Sequence, residues 1–174
     1  RAPRVAVGGA GRTLGCLRPT GRLKVRGFFA AALNLPPDRL RRGLSTVSAG
    51  NAEQACAYVA KNLGVRCRVV MYDTAPVTKI DGVKRWGAVP ILMPRDEMLD
   101  WLATEGWRSE SESFIHPFAD KEVMSGHGGI GLELLEDLPD LARVVVPVGG
   151  GGLIGGIASA VRGARPAIAV IGVR

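Results

Sequence analysis

Residues 144 to 156 read Val-Val-Val-Pro-Val-Gly-Gly-Gly-Gly-Leu-Ile-Gly-Gly, and this run constrains the fold more than any other. A β-branched apolar segment that enters four consecutive glycines and then an apolar helical pattern describes a strand, a tight turn and a helix. Residues without Cβ let successive backbone N–H groups converge on one anion, and the N-terminus of the following helix adds partial positive charge. The run therefore predicts a phosphate cradle.

Gly150, Gly152 and Gly155 also fit the dinucleotide fingerprint G-x-G-x-x-G. That fingerprint calls for an acidic residue about 20 positions on. The next predicted strand, Ile168 to Val173, ends instead at Arg174, which would suit a ribose 2′-phosphate. An NADP-binding oxidoreductase domain is thus one alternative, and a glycine turn without a ligand is another.

The chain has 174 residues, 47% of them hydrophobic, enough for a packed core. No apolar run approaches the roughly 20 residues that span a bilayer, so no membrane association is expected and the cytoplasm is the default compartment. The formal charge of +7 raises the question of nucleic acid, but only 5% of residues are aromatic and the arginines are scattered, apart from Arg39, Arg41 and Arg42. A solvated basic surface with an anionic small ligand accounts for the charge, and no nucleic-acid partner is expected. Cys16, Cys56 and Cys67 form no C-x-x-C pair and read as packed, reduced thiols. His116 and His127 lie too far apart for a single-helix metal pair, so no metal is expected.

From Leu44 onward strand and helix patterns alternate, the sequence form of an α/β protein with a largely parallel sheet. Strands are predicted at Leu44 to Val47, Cys67 to Tyr72, Val89 to Met93, Ser113 to Ile115 and Arg143 to Val148. Helices are predicted from Ala55, Val59 and Leu63, stopping at Gly64, and at Thr78 to Trp86, Arg95 to Glu105, Asp120 to Leu138 and Leu153 to Arg162. Near the N-terminus only Val5 to Val7 suggests a strand. Gly8 to Thr13 narrowly misses a nucleotide P-loop, with Arg12 in place of the lysine and Ala6 in place of the first glycine, and reads as a chance match.

Lys24 lies in Pro19-Thr20-Gly21-Arg22-Leu23-Lys24-Val25-Arg26-Gly27, before the apolar segment Phe28 to Leu33. Alone it reads as a surface lysine at a helix start. Beside a phosphate cradle it gains a second reading, because pyridoxal phosphate needs an amine for a Schiff base and a nest for its phosphate. PTGRLKVRG resembles the motif P-T-G-S-F-K-x-R-G of the fold-type-II pyridoxal phosphate enzymes, the threonine/serine dehydratase and serine racemase family. SAGNAEQA resembles that family's S-[SA]-G-N-H-[AG]-Q loop, and VPVGGGGLIGGIA, with IHPF and IGLELL upstream, resembles its phosphate loop and approach. The segments also follow the family's order, over residues 17 to 174.

The resemblance implies that Lys24 carries the cofactor and removes the substrate α-proton. Backbone N–H groups of Gly149, Gly150, Gly151, Gly152 and Leu153 would bind the phosphate, and Asn51 the pyridine 3-hydroxyl. Ser48, Gly50, Asn51 and Ala52 would line the substrate carboxylate, although Ser48 and Asn51 also suit simple helix capping. The implied reaction is α,β-elimination from a small hydroxy amino acid such as threonine or serine, giving a 2-oxo acid and ammonia; a racemase, synthase or cysteine-handling lyase on the same scaffold, and a degenerate non-catalytic binding module, are the alternatives. Ala49 stands where a serine resembles the racemases' second base, which favours dehydration over racemisation. This chain departs from the pattern at Arg22 and Leu23 (usually Ser and Phe), Ala52 (usually His), Glu53, and His127 and Gly129 (usually Gln and Thr).

The fold implied is the tryptophan synthase β-like one: α/β, three-layer, with open parallel sheets in two lobes. A small lobe at 43 to 138 is expected between two parts of a larger cofactor-binding lobe, 1 to 42 and 139 to 174. Both ends read as truncated, since the series stops on a strand with nothing covering the next crossover. A homo-oligomer is the assembly left open.

Overall fold

The computed structural model describes residues 23–48 and 50–174 in full, and residues 4–7 and 10–13 as backbone. Arg22 with the Pro-Thr-Gly before it, Cys16 and Ala49 lie outside the described residues. Strands β1 (Arg4–Val7) and β2 (Ala10–Thr13) pair antiparallel. The near miss to a P-loop thus includes a β-strand.

Helix α1 (Val25–Leu33) follows, then a short α2 (Pro37–Arg41), β3 (Leu44–Val47), α3 (Ala52–Leu63) and β4 (Cys67–Tyr72). Next come α4 (Val77–Arg85), β5 (Val89–Met93), α5 (Arg95–Ala103) and β6 (Ser113–Phe114). Prolines 36, 76 and 94 occupy the N-caps of α2, α4 and α5 with φ of −54°, −55° and −53°, close to the angle their rings impose. Helix α2 escapes the sequence reading because five residues, none buried, carry no periodicity.

The four strands form a parallel sheet in the order β5-β4-β3-β6. All four residues of β3 are buried, as a central strand covered on both faces requires. Helix α3 ends at Gly64, whose left-handed backbone (φ 68°) lets Val65 N–H reach the Ala60 carbonyl at 3.0 Å.

Helix α6 (Lys121–Asp137) starts at Asp120, whose carboxylate accepts from the N–H groups of Glu122 (2.8 Å) and Val123 (3.3 Å). Strand β7 (Arg143–Pro147), α7 (Gly152–Ala164) and β8 (Ala169–Val173) complete the chain, with β7 and β8 parallel. Along β7 burial alternates: Val144 and Val146 face the helices, while Val145 faces outward.

Helix α6 packs on α1 on one side and α7 on the other, closely enough to account for its glycines. A Cβ at Gly126 would stand 2.6 Å from the Arg26 carbonyl oxygen, and one at Gly128 3.2 Å from that of Gly156. Arg26 Nη2 donates to both oxygens of Glu133 (2.8 and 2.7 Å), tying α1 to α6. Val123 of α6 joins the core formed by α1, α3 and the four-stranded sheet, whereas Ile130 and Leu135 join the core under β7 and β8. No helix among the described residues is long and apolar enough to cross a membrane.

Candidate active site

The carboxyl ends of β3, β4 and β6 open on one cleft of about 560 Å³, where ligands of open parallel sheets collect. Its walls include Lys24, Ser48, Gly50, Asn51 and Ala52, so the lysine and the loop singled out in the sequence meet across the fold.

Lys24 is the N-cap of α1, and its Nζ donates to the Pro117 carbonyl oxygen at 2.6 Å. Burial lowers the Lys24 pKa from the ordinary lysine value, because low-dielectric surroundings disfavour the ammonium form. An amine so placed reaches its nucleophilic, proton-accepting form more readily than a surface lysine.

In the loop entering α3, Ser48 Oγ accepts from the N–H groups of Gly50 (3.0 Å) and Ala52 (3.3 Å) and donates to Glu53 Oε2 at 2.5 Å. The hydroxyl therefore occupies two donors that the sequence assigns to a substrate carboxylate. Asn51 is the N-cap of α3 but makes no side-chain cap bond, which leaves its amide for another partner.

The glycine turn does not line this cleft; it meets the cleft wall at Phe118. A Cβ at Gly150 would collide with the Phe118 ring, and one at Gly152 would stand 2.7 Å from the Phe118 carbonyl oxygen. Gly151 holds φ 85° and caps α7, whose first turn includes Leu153 and carries no acidic side chain. The turn thus leaves the first N–H groups of α7 without intrahelical partners, at a place where side chains do not fit beside Phe118. Residues 117 and 118 connect it to Lys24, one through a hydrogen bond and the other through packing.

Tyr72, Met98 and Trp107 of the cleft were not singled out by sequence reasoning, and His116 and Phe118 were noted only within the IHPF segment, with no role in the site. Tyr72 ends β4 and His116 follows β6, so the rule that sites gather at carboxyl ends of parallel strands would have found both. His116 Nδ1 accepts from the N–H groups of Phe118 (3.4 Å) and Ala119 (3.1 Å), which places the imidazole proton on Nε2. Burial lowers its pKa; the Asp120 carboxylate opposes that shift and the Lys24 charge adds to it. Trp107 stacks on Phe114 with centroids 4.4 Å apart, which makes this wall aromatic. Among the described residues no three His, Cys, Asp or Glu side chains gather to hold a metal ion.

The L-threonine ammonia-lyase of Geobacter sulfurreducens is 42% identical over 159 residues, spanning 90% of this chain and 39% of that protein. A catabolic L-threonine dehydratase of Staphylococcus aureus is 41% identical over 156 residues, spanning 89% of this chain and 45% of the relative. The chain therefore covers less than half the length of these curated relatives. Among solved structures, maize serine racemase superposes with a TM-score of 0.91 at 28% identity, over 98% of this chain and 55% of that one. Threonine deaminase isoform 2 from Solanum lycopersicum superposes at 0.84 with 34% identity, over 92% of this chain and 44% of that one. The model of the family described as pyridoxal-phosphate dependent enzyme matches residues 14–174, and with the cleft geometry this shows that the chain belongs to that family.

Proposed function

We propose that this chain carries the cofactor and substrate cleft of an ammonia-lyase that eliminates water from L-threonine, L-serine or a related hydroxy amino acid, giving a 2-oxo acid and ammonia. The observation that carries the reading is the half-buried Lys24 amine, bonded to Pro117 in the same cleft as the Ser48 to Ala52 loop. The names of the dehydratase and ammonia-lyase relatives support the reaction class. The family match leaves the nicotinamide alternative without support.

The residues present fit pyridoxal phosphate. The turn at Gly149 to Leu153 has open space beside Gly149 and Gly151 and begins a helix, which supports a phosphate nest there. Lys24 would hold the aldehyde carbon covalently, with Asn51 toward the ring hydroxyl. When bound, the cofactor supplies an electron sink for the pair left on the substrate α-carbon.

The remaining work falls to the chain. Lys24 Nζ, as a free amine, would take the α-proton there, helped by the burial that favours its neutral form. Pro117 orients that amine. The amides of Gly50, Asn51 and Ala52, with Ser48, hold the substrate carboxylate at the start of α3. The apolar wall of Tyr72, Met98 and Trp107 excludes water from the reacting atoms. Water lost across Cα–Cβ returns in hydrolysis of the enamine, which balances the release of oxo acid and ammonia.

The lobe division at 43 to 138 is part of this proposal. The four-stranded sheet lies inside that interval and the β7–β8 pair outside it, which supports the division, with α6 as the helix joining the two. The cytoplasm is the proposed compartment, supported by Cys56 and Cys67 lying as free thiols with Sγ atoms 3.6 Å apart.

The test combines labelling with product analysis. Borohydride reduction of protein loaded with pyridoxal phosphate should fix the cofactor on the Lys24 peptide, and Lys24→Ala should abolish the label. Ammonia and a 2-oxo acid should appear from L-threonine or L-serine. An inverted amino acid without ammonia would point to a racemase, and no label on Lys24 would overturn the cofactor assignment.

A further inference from the structure

Two backbone donors of the loop entering α3 are taken up within the loop itself, and a buried glutamate makes this arrangement. A serine hydroxyl has one proton and two lone pairs. Ser48 gives the proton to Glu53 and both lone pairs to Gly50 and Ala52. Glu53 is fully buried, and its second oxygen, Oε1, has no hydrogen-bond partner among the described residues.

Glu53 also lies in the first turn of α3, where the helix end favours negative charge. The helix end that would attract a substrate carboxylate therefore already holds a carboxyl side chain in its first turn. The motif this loop resembles has Ala or Gly at the position of Glu53, so the arrangement belongs to this chain's own sequence. A carboxylate arriving at the loop must displace the Ser48 hydroxyl from two N–H groups and approach the Glu53 carboxyl group bonded to it.

We infer that Glu53 is a specificity-determining residue: acting through Ser48, it weakens the loop's preference for a charged carboxylate over a neutral carboxamide on the same amino acid. The inference rests on the proposed placement of the substrate carboxylate at this loop. Glu53 touches neither cofactor nor substrate and works as a positioning residue.

The experiment compares the affinities of L-alanine and L-alaninamide, which have no β-hydroxyl to eliminate, measured by titration calorimetry on protein loaded with pyridoxal phosphate, for wild type, Glu53→Gln and Glu53→Ala. Glu53→Gln keeps the shape and an oxygen for the Ser48 proton but removes the charge. The carboxylate-to-carboxamide affinity ratio should rise about tenfold in both variants. Hydrogen exchange of the Gly50 and Ala52 amides gives a second readout: L-alanine should protect them more strongly in Glu53→Gln than in wild type.

An unchanged ratio in both variants would overturn the inference. A change in Glu53→Ala with none in Glu53→Gln would overturn it too, since shape and not charge would then be responsible. Borohydride labelling of Lys24 in the same preparations separates the two levels: no label in wild type rejects the proposed function and this inference with it, whereas a normal label with an unchanged ratio rejects the inference alone.

Discussion

Lys24 Nζ donates to the carbonyl oxygen of Pro117 at 2.6 Å, joining residues 93 apart in sequence. The bond fixes where the amine sits, and burial lowers the pH at which it loses its proton. Reaction of Lys24 with an aldehyde probe should therefore rise with pH at a midpoint below that of the exposed lysines. Peptide-resolved labelling across a pH series would measure it, and a midpoint equal to that of surface lysines would refute the effect of burial.

Gly151 adopts φ 85° at the start of α7, a conformation that costs an L side chain about 1 to 2 kcal/mol. Gly151→Ala should lower the denaturant midpoint with little change in slope, and should weaken uptake of pyridoxal phosphate. Equilibrium urea unfolding and a cofactor titration would test both parts.

His127 is fully buried with both ring nitrogens unpartnered among the described residues. Burial first, then the charges of Lys24 and Arg26, hold its pKa down to about 4, against about 6.5 in an unfolded chain. Between those values the unfolded state binds more protons than the native state. Stability should therefore fall as pH drops from about 6.5 toward about 4, by up to about 1.4 kcal/mol per pH unit. His127→Gln, which restores the amide usual at this position, should flatten that dependence; urea midpoints at several pH values would show it, and an unchanged slope would exclude His127 as the source.

Cys56 and Cys67 lie between α3 and β4, both buried, and the Cys67 thiol hydrogen bond, with burial, pushes the Cys56 pKa well above the ordinary thiol value. Thiols held out of solvent react slowly, and the raised pKa of Cys56 slows that thiol further. Iodoacetamide should leave both unlabelled in the native state and label both in denaturant. Labelling of either thiol at the native-state rate of an exposed cysteine would contradict this packing.

The alternation of β-branched runs with helical spacing was enough to place the strands and helices from Leu44 onward, because each element buries one face or both and its composition records that locally. Gly64 was legible as a helix stop for the same reason, since its backbone angle depends on the residue itself. The motif around Lys24, the Ser48 loop and the glycine turn were each readable as short strings. Their meeting was not: Lys24 joins Pro117, and Pro117 adjoins Phe118 under Gly150, only because α6 carries glycines on two faces and draws α1 and α7 against it. The Ser48–Glu53 bond was equally hidden, since spacing places two residues near each other without saying which donor a hydroxyl will satisfy. The chain thus declares its local conformations and its chemical groups, while burial and the competition for hydrogen-bond partners, both products of packing between distant segments, decide how those groups behave.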